Sequence, residues 1–201
     1  MRLEEALAGR RSVRRFDGRP VPPAIVRDLV AFACTAPAPH HSRPWRFVAI
    51  ESPEAKARLA QAMGEAWRAD LRADGVGDDE IARLLGKSRR RIAGTPALLL
   101  ACLVLAAARP WPDQRRRLAE GAMFLQSLGA ALQNLMLAAH ARGLGSYLMA
   151  APLLCPQAVD SALDLPPDYE PQFLVAIGYP RSGWAPPPRP ELRSEEFLIE
   201  R

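Results

Sequence analysis

The chain has 201 residues, which is long enough for one domain with a substantial core and short for two. Its hydrophobic fraction of 49% and charged fraction of 24% are ordinary for a globular protein and exclude a disordered or fibrous chain. The net charge of +5 comes mostly from arginines in several separate runs, which argues against a nucleic-acid-binding face but suits an anionic small-molecule ligand.

The first half of the chain predicts helices separated by one strand. Apolar spacing indicates a short helix ending near Gly9, and a proline in the first turn favours a second helix from about Pro23 to Cys34. Prolines exclude regular structure from Ala36 to Pro44, whereas the alternating run from Trp45 to Ile50 is typical of a strand. Two further helices are predicted, at Ser52 to Ala73 and Asp78 to Ile92.

The second half predicts the core. Pro96 to Leu105 is a continuous apolar run, typical of a strand buried on both faces. A long helix from about Asp113 to Arg142 is apolar nearly all round in its middle and is predicted to be the core helix. The remaining predicted elements are a strand at Ser146 to Met149, a helix at Pro156 to Leu163, a strand at Gln172 to Ile177 and an extended tail at Trp184 to Pro190. We therefore expect an α+β fold in one domain, residues 1–201.

Three features bear on the cellular compartment. The apolar run from Pro96 to Ala108 is too short to cross a bilayer, and the run from Ala119 to Ala141 carries polar residues, so neither is expected to be a membrane helix. Met1 leads directly into charged residues, so no cleavable secretion signal is expected. The three cysteines are odd in number and lie among apolar residues, which predicts buried thiols and a cytoplasmic location. They are Cys34, Cys102 and Cys155.

The sequence contains none of the usual protein-only catalytic sets. His40 and His41 are adjacent, and His140 lies on the core helix, so no metal-ligand spacing occurs. The segment from Gly143 to Ser146 looks like a phosphate loop, but it follows a helix and is better explained as a helix C-cap. An enzyme with this sequence would therefore need a bound cofactor to supply the reactive atom.

The run RRSVRRF, residues 10–16, is the most informative segment. Its four arginines and one serine, placed just after a helix, offer bidentate donors and a hydroxyl to a phosphate. A solvated run of charge is the alternative explanation.

With three later motifs, this run resembles the nitroreductase family of FMN enzymes. The motifs are Arg10-Arg11-Ser12-x-Arg14-x-Phe16, Pro44-Trp45-x-Phe47, Gly143-Leu144-Gly145 and Ile177-Gly178-Tyr179-Pro180. They keep the family's order and spacing and cover almost the whole chain. The resemblance implies a nitroreductase-like fold with a central mixed sheet flanked by helices. It also implies a homodimer with an extended C-terminal tail.

The resemblance implies roles for individual residues as well. The FMN phosphate and ribityl chain would be held by Arg10, Arg11, Ser12, Val13 and Arg14, with Arg189 of the tail joining at the phosphate. Pro37, Ala38 and Pro39 would line the flavin ring from the partner subunit, and the backbone at Met149 and Ala150 would face the N5 edge of the flavin. NAD(P)H is a candidate reductant.

The loop APAPHHSRP, residues 36–44, and the helical WRADL, residues 67–71, narrow the resemblance. They are similar to the C-terminal reductase domain of the bifunctional ligase/reductase that matures the deazaflavin coenzyme F-420. That domain reduces the enolpyruvyl double bond of the dehydro precursor, and Asp70 would contact this substrate. The glutamyl-ligase domain of that family has no counterpart in this sequence, so either the two activities are split or the substrate differs.

Several assignments keep an alternative. His40 and His41 could contact substrate or protonate a carbanion, or they could hydrogen-bond only within the loop. Asp70 could instead be a solvated residue paired with an arginine, and Trp67 is expected in the core more than against a ligand. Arg89 to Arg91 and Arg115 to Arg117 are expected to be solvated, with attraction of an anionic substrate tail as the alternative.

Three functions follow from these patterns. The first is reduction of the enolpyruvyl F-420 precursor, and the second is general NAD(P)H-dependent reduction of nitro compounds or quinones. The third is a non-catalytic protein that binds flavin or deazaflavin.

Overall fold

The computed structural model describes residues 1–191 and 193–201. The helices are α1 (Leu3–Gly9), α2 (Pro23–Ala33), α3 (Pro53–Ala73), α4 (Asp78–Ala93), α5 (Gln114–Ala141) and α6 (Pro156–Leu163). The strands are β1 (Trp45–Ala49), β2 (Ala97–Val104), β3 (Gly145–Met149) and β4 (Tyr169–Gly178). The α+β class is confirmed, and every predicted helix and strand is present.

Local signals explain most of the element boundaries. Ser52 accepts a hydrogen bond from the backbone N–H of Ala55 at 3.0 Å and caps α3, and Asp113 caps α5 in the same way. Gly143 has φ +73°, so the turn after α5 uses a conformation that glycine adopts without strain. The interpretation of this glycine as part of a helix C-cap, and not of a phosphate loop, is confirmed.

The four strands pair in the order β1-β2-β4-β3, and every ladder is antiparallel. The mixed character expected of the sheet is limited to one isolated parallel bridge between Ser12 and Ser146. β4 begins earlier than predicted because Glu170 and Pro171 pair with β2 beyond a bulge at Ala101/Cys102. A bulge is one of the few places where a ladder tolerates proline.

β2 lies in the middle of the core and separates two apolar layers. Leu99, Ala101 and Leu103 face α2 and α5, whereas Leu98 and Leu100 face α3 and α6. Because both faces of β2 are covered, its sequence is apolar at consecutive positions and does not alternate.

Helix α5 is long and apolar enough to cross a membrane by length and composition alone. Its second half is the core helix that was predicted, with Leu128, Leu132 and Leu135 almost fully buried. Its first half is buried only on one side, because Phe124 is fully buried but Leu118 is 66% exposed and Leu125 is 50% exposed. These two leucines lie seven residues apart, hence on one face of the helix, and this face is uncovered in the single chain.

The prediction of three buried thiols is only partly right. Cys102, in β2, is fully buried, but Cys155 is half-buried and Cys34 is exposed just after α2. Apolar neighbours in sequence do not reveal that Cys34 follows the last buried turn of its helix and points outward. Burial raises the pKa of Cys102 to about 12, and burial followed by the charge of Asp70 raises the pKa of Cys155.

We therefore expect three separate classes of thiol reactivity. Titration of the native protein with a disulfide reagent at pH 8 should modify Cys34 fast and Cys155 slowly, because thiolate fraction and access govern the rate. Cys102 should react only after denaturation, and peptide mass spectrometry would identify each site. Rapid labelling of Cys102 in the native protein would contradict the burial of β2.

Candidate functional site

The segment RRSVRRF is fastened along the outer edge of β3. The backbone N–H of Val13 donates to the carbonyl of Ser146 at 3.1 Å, and Ser12 forms the parallel bridge with the same residue. Further along, Phe16 bridges Pro180 and the N–H of Asp17 donates to the carbonyl of Tyr179 at 3.0 Å. The segment therefore has a fixed backbone, from which its arginine side chains project.

Two glycines make this fastening possible. A Cβ atom at Gly145 would lie 2.5 Å from the Cβ of Val13, and one at Gly178 would lie 2.8 Å from the ring of Phe16. Val13 is only 4% exposed, so it cannot move aside cheaply. The family motifs containing these glycines thus have a steric cause, namely the close approach of residues 13–16.

We expect Gly145→Ala to destabilise the protein by about 1–3 kcal/mol, the usual range for overpacking a filled core. The substitution should also displace residues 10–14 and weaken ligand binding there. Gly64→Ala is the control, because a Cβ there, on α3, would meet only Cδ2 of Leu85 at 4.0 Å. Thermal unfolding of both variants tests this, and a Gly145→Ala protein as stable as Gly64→Ala would contradict the steric explanation.

Three arginines meet at the start of this segment. The guanidinium of Arg189 donates to the carbonyl of Arg10 at 3.0 Å, and that of Arg11 donates to the carbonyl of Pro187 at 2.7 Å. Among the described residues, no carboxylate pairs with Arg10, Arg11 or Arg189. Partial burial, then the charges of Arg189 and Arg11, lower the pKa of Arg10. Such a cluster of unpaired positive charge suits a doubly charged anion such as a phosphate monoester.

The structure adds His140 to the surroundings of this cluster. A Cβ atom at Gly9 would lie 2.8 Å from Nε2 of His140, so the imidazole packs directly behind the residue that precedes Arg10. Partial burial and the charge of Arg10 lower the pKa of His140. The sequence placed His140 on the core helix but gave no signal that α1 would bring the arginines beside it.

The proline loop, residues 36–44, is strained and has unpartnered polar atoms. His40, His41 and Arg43 have φ of 54°, 55° and 47°, which side-chain-bearing residues adopt at a cost of about 1–2 kcal/mol each. The hydroxyl of Ser42 and the indole N–H of Trp45 are buried without a hydrogen-bond partner in the single chain. Strain and unpaired polar groups of this kind concentrate at ligand-binding segments.

The proline loop and the arginine cluster lie at opposite corners of the sheet. The loop precedes β1 at Trp45, which pairs with Leu103, whereas the cluster lies beside Ser146 at the other edge, in register with Ala97. Three strand spacings and six residues along a strand place Trp45 and Ser146 about 25 Å apart. Helices cover both faces of the sheet between them. The end of the loop at Trp45 and the segment beside Ser146 therefore open onto different parts of the surface of one chain.

A cavity of about 530 Å³ opens between α3, α4 and the end of β3. Its walls bring together three positions that the sequence singled out, Asp70, Met149 and Ala150. Trp67 also lines the cavity and is half-buried, so the expectation that it belongs to the core is wrong. Asp70 is exposed, forms no ion pair in the described structure and contributes to the wall of the cavity.

A groove of about 600 Å³ adjoins this cavity. Arg14 lies in the groove, 5.8 Å above the ring of Tyr147, and Lys87 and Arg91 of α4 line both the groove and the cavity. The sequence treated Arg91 as a solvated residue and did not single out Lys87. Their spacing of four residues, which places both on one face of α4, was the only available signal.

The remaining predicted site residues all lie in the proline loop. Ala38 and Pro39 are half-buried, and the exposed ones are Pro37, His40 and His41. None of these five lines the cavity of its own chain. Within the described residues, no group of three or more His, Cys, Asp or Glu side chains is placed to hold a metal ion.

These features fit the phosphate and the ring of FMN separately. The unpaired guanidiniums of Arg10, Arg11 and Arg189 suit the phosphate. Arg14, on the same segment, lines the groove that adjoins the cavity, and the cavity has mostly apolar walls that suit a flat ring.

Comparison with known proteins agrees with this geometry. The model of the nitroreductase family matches residues 7–179. A 5,6-dimethylbenzimidazole synthase from Rhodobacter capsulatus is 30% identical over 193 residues, covering 90% of each chain. An NADH dehydrogenase from Thermus thermophilus is 30% identical over 182 residues, covering 85% of this chain and 83% of that protein.

Two further proteins are similar to this chain, one in sequence over part of its own length and one in fold. An iodotyrosine deiodinase from Drosophila melanogaster is 27% identical over 199 residues, which cover 92% of this chain and 65% of that protein's length. The crystal structure of a BluB-like flavoprotein from Clostridium difficile superposes with a TM-score of 0.79 at 20% identity, covering 100% of this chain and 99% of that one. This last likeness concerns the fold.

Proposed function

The chain belongs to the nitroreductase family of FMN-dependent oxidoreductases, and we propose that it reduces the enolpyruvyl double bond of the dehydro-coenzyme F-420 precursor. The observation that carries this proposal is the cavity, in which Asp70 of the WRADL segment lies with Met149 and Ala150. The resemblance to the F-420 reductase domain implies that Asp70 contacts the substrate, and the wider family resemblance implies that Met149 and Ala150 face the flavin.

The cofactor site that we propose has three parts. Arg10, Arg11 and Arg189 hold the phosphate, with Ser12 and the backbone of Val13 beside it. Arg14, with Lys87 and Arg91, places positive charge along the groove where the polar edge of the ring lies. Positive charge at this edge favours the electron-rich form of a flavin. The backbone at Met149 and Ala150 borders the position from which the acceptor is reached.

When bound and reduced, for which NAD(P)H is the candidate reductant, FMN would supply hydride to the acceptor carbon. The apolar wall formed by Met63, Trp67 and Leu84 excludes water and positions the unsaturated group. Lys87 and Arg91 attract the anionic parts of the substrate, whereas Asp70 accepts hydrogen bonds from its neutral donors. His40 or His41 of the partner subunit is the candidate proton donor at the carbon that does not receive hydride.

We propose that the active form is a homodimer. The end of the strained proline loop and the arginine cluster open onto different parts of the surface of one chain, so a complete site needs the loop of a second copy. The uncovered face of α5, with Leu118 and Leu125, offers an apolar surface for the contact. The described residues of the tail after Trp184 are all exposed, so their surface is available to a partner.

Incubation of the reduced holoenzyme with the dehydro precursor tests the proposed reaction. A product heavier by two hydrogens should form, and Asp70→Asn should raise KM more than it lowers kcat. Asp74→Asn, an exposed residue just after α3, serves as the matched control. Absence of the mass gain in a protein that carries FMN would rule out this substrate.

A general NAD(P)H-dependent reductase of nitro compounds or quinones is the second candidate. The 30% identity to the Thermus NADH dehydrogenase favours it, and the cofactor site would be the same. Fast reduction of the flavin by NAD(P)H with turnover of nitroaromatics, without turnover of the precursor, would select this function. Binding of flavin without turnover of any acceptor would instead indicate a non-catalytic binding protein. We propose a cytoplasmic location for each of these.

A further inference from the structure

The C-terminal tail is joined to the rest of the protein mainly through the arginine cluster. Every described residue from 185 to 201 is exposed. The hydrogen bonds described between this tail and the body of the protein are the two made by Arg11 and Arg189. Both bonds run from a guanidinium to a backbone carbonyl, and each links residues more than 170 positions apart in sequence.

The same two side chains contribute to an unbalanced charge. Arg189 brings a third guanidinium to the site of Arg10 and Arg11, and no carboxylate of the described residues neutralises the group. Like charges at short range repel, and the repulsion is strongest where the groups are partly shielded from water, as Arg10 and Arg11 are. The tail is therefore attached in spite of electrostatic repulsion among the three guanidiniums. A bound anion would attract all three and so favour the attachment.

The far end of the tail has an apolar segment with nothing to cover it. Phe197, Leu198 and Ile199 are 74%, 59% and 78% exposed. Three large apolar side chains in succession are unfavourable in water, so the position of the tail determines whether this segment is available to a second copy of the chain.

Building on the proposed function, we propose that the tail is an anion-dependent strap: a phosphate group held by Arg10, Arg11 and Arg189 fastens residues 185–201 to the body of the protein. Without the anion, mutual repulsion loosens Arg189 and releases the strap. With it, Arg189 bridges the anion and the carbonyl of Arg10. Cofactor loading and tail attachment are then reciprocal, since whatever stabilises one state of a linked equilibrium stabilises the other.

Limited trypsin digestion of the 201-residue protein measures the attachment. Cleavage after Arg193 releases residues 194–201, the Arg189–Pro190 bond resists trypsin, and cleavage after Arg181 releases a longer fragment, so mass spectrometry follows the Arg193 cut separately. Inorganic phosphate at saturating concentration should slow this cut at least tenfold relative to sodium chloride of equal ionic strength. FMN should do the same, and riboflavin, which lacks the phosphate, should not.

Variants separate the strap from the rest of the site. Arg189→Gln should abolish the effect of phosphate on cleavage, and Arg181→Gln, an exposed arginine before the tail, should leave it intact. Equal cleavage of the unaltered protein with and without phosphate would refute the strap, as would protection that persists in Arg189→Gln. Visible spectroscopy reports FMN binding independently, so a strap that fails in a protein that binds FMN leaves the proposed function standing.

Discussion

Replacing both Arg10 and Arg11 by glutamine is expected to weaken FMN binding at least a hundredfold. Each removed hydrogen bond to a charged group contributes about 1.5–3 kcal/mol, and every 1.4 kcal/mol is a factor of ten in the dissociation constant. Quenching of flavin fluorescence on titration with the apoprotein gives that constant directly. The effect should shrink at high salt, because part of the interaction is screened.

Riboflavin provides the internal control for this experiment. It lacks the phosphate, so its affinity should change little in the double variant, and the preference for FMN over riboflavin should collapse. Arg27→Gln removes the same charge from an exposed position on α2 and should leave the preference unchanged. If FMN and riboflavin lost affinity equally in the double variant, the cluster would not be the phosphate site.

A charge on the uncovered face of α5 is expected to prevent dimerisation and, with it, retention of FMN. Leu125→Glu places a carboxylate where the proposed contact buries a leucine, and an unpaired charge buried at an interface costs about 3–5 kcal/mol. The molar mass measured by light scattering after gel filtration should fall from twice the chain mass to the 22.0 kDa of one chain. The gel-filtration fractions that contain the monomer should also lack FMN. In a monomer, the proline loop of one chain no longer completes the site of another.

Leu7→Glu is the control for this second experiment. Leu7 is 47% exposed, similar to Leu125, but it lies on α1. This variant should remain dimeric with bound FMN. A monomeric Leu125→Glu protein that keeps FMN with unchanged affinity would show that one chain suffices for the site, and the two-chain proposal would be wrong.

The sequence predicted the helices and strands well because their signals are local. Proline at the first turn, side-chain caps such as Ser52 and the left-handed Gly143 each act within a few residues. The continuous apolar run of β2 indicated a strand covered on both sides, and the structure confirms it. The motif RRSVRRF identified the family only together with three later motifs, and its residue types suit a phosphate.

Burial of single polar and sulfur groups was not predictable in the same way. Lys56, one of the two lysines, is buried, and its ammonium donates to the carbonyl of Thr95 at 2.7 Å. Glu120 counted only as a polar interruption of an apolar run, yet it is 1% exposed and accepts from the N–H of Arg109 and the indole N–H of Trp111. The burial of Lys56 depends on a carbonyl 39 residues away in sequence. The burial of Glu120 depends on how the loop before α5 folds back onto the helix.

The sequence by itself determined the α+β class, the order of the elements and the identity of the groups that can bind a phosphate, because each follows from side-chain chemistry and short-range periodicity. Only the tertiary structure decided which of those groups meet. Antiparallel pairing in the order β1-β2-β4-β3 leaves β3 at an edge, where Ser12 forms its parallel bridge to Ser146, and places the end of the proline loop at the opposite corner. It also sets Asp70 beside Met149 and adds Lys87 to the groove. Strand order and helix docking result from packing the whole core at once, so no local pattern encodes these distances.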